Sequence, residues 1–123
     1  SDTFIQACRD ELTLTADQVS SCPACVAQMS AGPVGVAQIL VADKGASLEK
    51  LFVDPPAMGL GVGRRLFAWS VATARSLGAV RLEIVSDPQA IDFYIRQGAE
   101  RAGVVASDSI PGRSLPRLIL PLD

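Results

Sequence analysis

Three glycines at alternate positions, Gly59, Gly61 and Gly63, run into Arg64 and Arg65 and then into an apolar helical pattern. A glycine-rich turn feeding a helix start leaves backbone N–H groups unpaired and aimed at one spot. With the helix dipole behind them and no Cβ atoms in the way, such groups make a phosphate site. The arginine pair adds positive charge, and no acidic residue lies between Met58 and Leu82. The common nucleotide patterns fail on spacing. The dinucleotide fingerprint G-x-G-x-x-G needs a two-residue second gap, and the triphosphate loop ends in Gly-Lys-Ser/Thr, whereas Gly63 is followed by Arg64.

A second pattern with chemical potential is Cys22-Pro23-Ala24-Cys25. A thioredoxin-type site needs a helix starting at the first cysteine to lower its pKa. The residues after Cys25 read as strand, turn, strand, so reduced, structural cysteines are expected. Three cysteines are an odd number, which argues against a closed disulfide framework. With no histidine and no second cysteine pair, no metal site is expected.

The elements that must position these residues follow from periodicity and punctuation. Residues 3–11 have the pattern of a short helix, and Thr15 with Gln18 has capping-box spacing for a second helical turn. Ala24–Ala31, Val34–Ala42 and Ala46–Val53 read as three strands of an antiparallel meander, with Gly32-Pro33 as the first turn. Val62, Leu66, Trp69, Thr73 and Leu77 then recur three or four apart, and Gly78 is a C-terminal stop. Val80–Val85 alternates as a strand. Asp87-Pro88 is an N-cap followed by proline at the first helical position, opening a short helix to Gln97 that Gly98 closes. Ala99–Ala106 and Arg117–Leu122 complete the strands. The strand–helix–strand unit from 46 to 86 predicts a parallel crossover, so the fold class is α/β (α+β). Such a sheet opens a ligand crevice where strand ends meet helix starts.

Bulk properties bound the function. A chain of 123 residues with 49% hydrophobic and 20% charged content suits one globular domain, spanning 1–123. A net charge of −2 gives no basic face for nucleic acid. No apolar run approaches the roughly 20 residues of a membrane helix. The first residues lack the basic segment and apolar stretch of a secretory leader, so a cytoplasmic location is expected.

The stretch "LFVDPPAMGLGVGRRL" (51–66) resembles the coenzyme A motif of the GCN5-related N-acetyltransferases, a strand ending Val-x-Pro followed by Arg/Gln-x-x-Gly-x-Gly/Ala. Met58, Gly59, Leu60, Gly61, Val62 and Gly63 fall on its six positions. "DPQAIDFYIRQGA" (87–99) is similar to the second signature of the same superfamily, Asn-x-x-Ala-x-x-Phe-Tyr-x-x-x-Gly-(Phe/Ala). Ile110-Pro111-Gly112-Arg113 also looks like a small bacterial subgroup of these enzymes. The resemblance spans about residues 24–122.

It implies a mixed, mostly antiparallel sheet flanked by helices, with acetyl-CoA held where the third and fourth strands splay apart. Backbone near Leu51, Phe52 and Val53 would pair with the pantetheine arm and the acetyl carbonyl. N–H groups from Gly59 to Arg64 would hold the pyrophosphate, with Asp87 and Phe93 from the second signature nearby. Tyr94, the only tyrosine, would protonate the departing thiolate; a phenol near 10 is a competent but weak donor to a thiolate whose thiol titrates near 8.5. The alternative for Tyr94 is a half-buried packing aromatic. The attacking amine must be neutral, and the superfamily's frequent glutamate at this strand position marks Glu49 as the base; a solvated Glu49 paired with Lys50 or Arg81 is the alternative, and Asp54, Asp87, Asp92 or a water chain remain open.

Two positions depart from the pattern. Met58 replaces Arg or Gln, removing a polar phosphate anchor, and Asp87 stands where Asn is usual. The resemblance also leads one to look for a strand and helix ahead of the meander, elements that shape the acceptor pocket. An uncovered edge strand invites pairing and implies a homodimer. The partners expected are therefore acetyl-CoA, an amine acceptor and a second copy, with no nucleic acid or membrane. Against this acetyltransferase stand two other readings: a CoA-binding or protein-interaction domain of the same fold that has lost turnover, and a thiol redox protein.

Overall fold

The computed structural model describes residues 12–17, 22–106 and 112–122. Its elements run β1 (Thr13–Asp17), β2 (Ala24–Met29), β3 (Gly32–Ala42), β4 (Gly45–Val53), a 3-10 turn (Pro55–Ala57), α1 (Val62–Ser76), β5 (Arg81–Val85), a 3-10 turn (Pro88–Ala90), α2 (Ile91–Arg96), β6 (Glu100–Ala106) and β7 (Ser114–Pro121). The seven strands form one sheet in the order β1-β2-β3-β4-β5-β7-β6. Only β4 and β5 pair in parallel, through the crossover that contains α1; the other neighbours are antiparallel. This is the mixed, mostly antiparallel α+β architecture expected.

One face of the sheet is the core. Cys25 and Ala27 of β2, Ala37 and Ile39 of β3, Leu82 and Ile84 of β5 and Leu118 of β7 alternate inward and are buried. The inward row meets Val62, Leu66, Phe67 and Ala74 of α1 and Tyr94 of α2. At Gly35 there is no room for a side chain: a Cβ there would lie 2.8 Å from the Phe52 carbonyl oxygen and 2.9 Å from Leu66 Cδ1. No described helix is long and apolar enough to cross a membrane.

The helical turn expected at Thr15 is a strand instead. In Leu12-Thr13-Leu14-Thr15, Leu12 and Leu14 point to the core and pack beneath α1, while Thr13 and Thr15 face out. That period of two, with β-branched threonines and an antiparallel register against β2 (Thr15 opposite Val26), outweighs a local capping signal. Among the described residues the sheet thus begins at Thr13 rather than Ala24. The helix expected over 3–11 lies outside the described residues, as does Gln18.

The first hairpin also turns earlier than expected, at Ser30-Ala31, with Gly32 and Pro33 inside β3. Proline is tolerated there because Gln28 pairs with Pro33 and Ala27 with Gly35, leaving Val34 as a bulge without a partner on β2. Asp87 caps its turn as read: its Oδ1 accepts the Gln89 N–H at 3.1 Å, with Pro88 in the first turn. Gly78 and Gly98 follow the two helices at φ 91° and 103°.

Candidate active-site cleft

The site begins with a register fault in β4. Gln38 pairs with Lys50 and Ile39 with Leu48, so Glu49 has no partner on β3. The bulge inverts the alternation. Ala46 and Leu48 face the core before it, and Leu51 and Val53 face the core after it. It also ends the parallel pairing. β4 and β5 are matched from Gly45–Arg81 to Leu48–Ile84 and no further. Beyond that point β4 stays with β3, through Leu51–Ala37 and Val53–Gly35, and the Asp54 N–H donates to the Val34 carbonyl at 2.7 Å. β5 stays with β7, and the Ser86 N–H donates to the Pro116 carbonyl at 2.9 Å. Two neighbouring strands are drawn to opposite sides, and a cleft of about 550 Å³ opens between them. Its β4 wall has no strand partner, so backbone N–H and C=O groups of alternate residues face the opening.

Of the residues singled out in the sequence, Glu49, Leu51, Phe52, Val53, Met58, Asp87 and Tyr94 line this cleft. Gly59, Leu60, Gly61, Val62, Gly63 and Arg64 do not line it; they form the turn that follows Met58 and the first residues of α1. Gly59 and Gly61 have φ of 86° and 81°, backbone that only glycine enters without strain, and space for a Cβ is open at both. Gly63 is helical, and a Cβ there would make ordinary contact with Val53 and Phe93, so the third glycine is not conformationally required. Gly61 is the N-cap, no side chain caps the helix, and the N–H groups of Val62, Gly63 and Arg64 have no partner within it. The Val62 side chain is buried in the core, leaving only its backbone to the turn. Arg64 is exposed, and Arg65 donates to the Leu12 carbonyl at 3.4 Å.

Tyr94 is 7% exposed and forms the floor of the cleft. Its ring stands edge-on to Phe67 and Phe93, with centroids 5.7 and 5.2 Å away. Burial pushes its hydroxyl up to about 12, so it holds its proton more firmly than a free phenol. Phe93 thus supports Tyr94 and Gly63 rather than lining the cleft. Glu49 is exposed at the bulge, and its Oε2 accepts a hydrogen bond from Ser47 Oγ at 3.0 Å. Neither Lys50 nor Arg81 is its partner; the one ion pair among the described residues joins Glu83 to Arg117 at 2.6 Å. Asp54 and Asp92 are exposed and lie off the cleft.

Sequence reasoning missed Leu48, Lys50, Pro55, Val85, Ser86, Gln89 and Ala90, which complete the lining. The apolar spacing 46, 48, 51, 53 was the available signal, since a step of three between steps of two marks a bulge. Cys25 is fully buried in β2, and burial pushes its thiol up although Arg65 pulls it partly back. That is the reverse of a reactive thiolate, and Cys22 and Cys25 are both free. Among the described residues no group of histidine, cysteine, aspartate and glutamate side chains could hold a metal.

The model of the acetyltransferase (GNAT) family matches residues 3–99. No curated protein sequence matches the chain. Among solved structures, a provisionally named acyl-CoA N-acyltransferase from Klebsiella pneumoniae subsp. pneumoniae superposes with a TM-score of 0.77 at 19% identity, covering 91% of this chain and 98% of that one. An aminoglycoside 6'-N-acetyltransferase complexed with coenzyme A gives 0.75 at 14% identity, over 85% and 74%. The spermidine/spermine N-acetyltransferase SpeG from Vibrio cholerae gives 0.74 at 14% identity, over 94% and 95%. At these identities the likeness is one of fold.

Proposed function

The chain belongs to the GNAT family of acetyltransferases, and from that premise we propose that it transfers an acetyl group from acetyl-CoA to a primary amine of a small molecule or peptide by direct attack. The observation that carries this reading is the juxtaposition of two features. A strand edge left unpaired by the β4 bulge runs, through Asp54–Met58, into a helix start whose N–H groups are uncapped. The first suits an extended amide-bearing arm and the second a pyrophosphate.

When bound, acetyl-CoA supplies an acyl carbon activated by a thiolate leaving group. The remaining work belongs to this chain. N–H groups from Gly59 to Arg64 hold the phosphates, and Gly59 and Gly61 keep side chains out of their path. Met58, 64% exposed, contributes apolar cover where a polar anchor is usual. Backbone at Leu51 to Val53 holds the arm and polarises the acetyl carbonyl. Glu49, steadied by Ser47, takes the proton as the amine nitrogen bonds to the acyl carbon and the C–S bond breaks. Tyr94 donates a hydrogen bond to the sulfur as charge develops there. With its hydroxyl near 12 against about 8.5 for a thiol, it stabilises the thiolate and keeps its own proton for most of the step.

Isothermal titration with acetyl-CoA, with NAD and ATP as controls, tests the premise on which the mechanism stands. Stoichiometric micromolar binding of acetyl-CoA alone is expected. Equal heats from all three, or none from acetyl-CoA, would remove the reading.

A further inference from the structure

The sheet face turned away from α1 and α2 carries a row of three apolar side chains, with Thr15 at its far end, that reaches the cleft. The registers place Thr15 opposite Val26, Val26 opposite Val36 and Val36 opposite Phe52. Directly paired residues share a face, so these four side chains form one line across β1 to β4, roughly 14 Å long from the usual strand spacing. The row faces away from the core, because Cys25, Ala27, Ala37 and Leu51, their neighbours along the strands, point into it, and no described helix packs over it. Phe52 is 57% exposed and lines the cleft, so the row is continuous with it. Beside it runs a polar row, Ala24–Gln38–Lys50, and Lys50 also lines the cleft. Next to Lys50, at the bulge, is Glu49.

From this arrangement we infer that the acceptor is a monoamine with an aromatic or branched apolar body, its ammonium group drawn to Glu49 and its body lying on Phe52 and Val36. The inference rests on the acetyl-transfer reading for the fate of the amine, but the surface itself stands on the registers. Two carboxylates line the cleft: Asp87 follows β5 and its Oδ1 already accepts the Gln89 N–H, whereas Glu49 lies on the β4 side next to the row, where it matches one ammonium group. Phe52 offers an aromatic face to a second ring, which packs there by burial and edge or offset contact. A polyamine laid along the same path would set a further ammonium group against Lys50, whose like charge repels it.

The test uses the full chain, with 2-phenylethylamine and spermidine as probes, followed by methyl NMR with and without acetyl-CoA. Phenylethylamine is expected to shift the Val26 and Val36 methyl signals saturably, and spermidine to leave them in place. In calorimetry, Val26→Thr/Val36→Thr keeps branched strand residues and is expected to weaken phenylethylamine binding about five- to tenfold. Lys50→Gln is expected to improve spermidine binding. Should the double variant not fold, Val36→Thr alone carries the comparison. Phenylethylamine that leaves both valines unmoved, or spermidine that shifts them, overturns the inference even where acetyl-CoA binds. Phenylethylamine on the strip without acetyl-CoA heat upholds the surface and removes the acetyl-transfer reading instead.

Discussion

A phenol titrates near 10 in water, and enclosing the Tyr94 ring against Phe67 and Phe93 raises it to about 12. The folded state therefore keeps a proton that the unfolded chain releases between those values. A raised pKa contributes stability that is fully present below about pH 10 and is lost as pH climbs toward 12. The decline should be on the order of 1–2 kcal/mol, short of the full linkage value because the hydroxyl borders an open cleft. Tyr94→Phe removes the titrating group, so its urea midpoint should fall less over that window than the wild type's. Tyr94 is also the only tyrosine, so phenolate absorbance reads its ionisation directly. Titration near 10 would show a ring exposed to solvent. The site residues differ in how far sequence reveals them. That Tyr94 and Glu49 would stand near one another was an expectation of the motif resemblance, and both line the same cleft. The raised pKa of Tyr94 was not legible, because burial depends on Phe67, which lies 27 positions away along the chain.

The β4 bulge and the α1 start are the two elements on which the site depends, and glycine supports them in different ways. At Gly35 the reason is space: a methyl group would press on the Phe52 carbonyl and on Leu66 Cδ1 at under 3.0 Å. Gly35→Ala should cost about 1–3 kcal/mol in urea unfolding, through overpacking between β3, β4 and α1. Gly63→Ala meets only ordinary contacts, and its stability should change by about 0.5 kcal/mol or less. Equal changes at both positions would mean that the close approach at Gly35 relaxes and sets no cost of its own. In the sequence Gly63 is the conspicuous glycine and Gly35 an unremarked one. The structure reverses their importance for folding, since a steric limit depends on which elements cross there.

At the scale of the molecule, β1 and β6 are the two edges of the sheet among the described residues. The outer edge of β6 has no strand partner among the described residues, and Val104 stands on that strand 67% exposed. Such an edge is a template for pairing with another chain. A homodimer through β6 is the expected outcome, read as a dimer mass in sedimentation equilibrium, with Val104→Lys returning the monomer. A wild-type monomer at all concentrations would leave β6 as a tolerated edge, and an unchanged dimer in the variant would move the interface elsewhere.

The local signals of this chain were sufficient for much of the fold. Apolar period and punctuation located α1, the meander and the Asp87 cap, because helix period, φ preference and capping are decided within a few residues. The glycine turn was legible for the same reason, since φ at Gly59 and Gly61 is a property of the turn itself. Tertiary structure alone decided the rest. Thr13–Asp17 became a strand because β2 offered a partner and Leu12 and Leu14 found a core beneath α1. The cleft opened because β4 and β5 are each held by a different neighbour beyond Leu48 and Ile84. Pairing, burial and close approach join residues far apart in the chain, and they exist only once the sheet has closed on its helices.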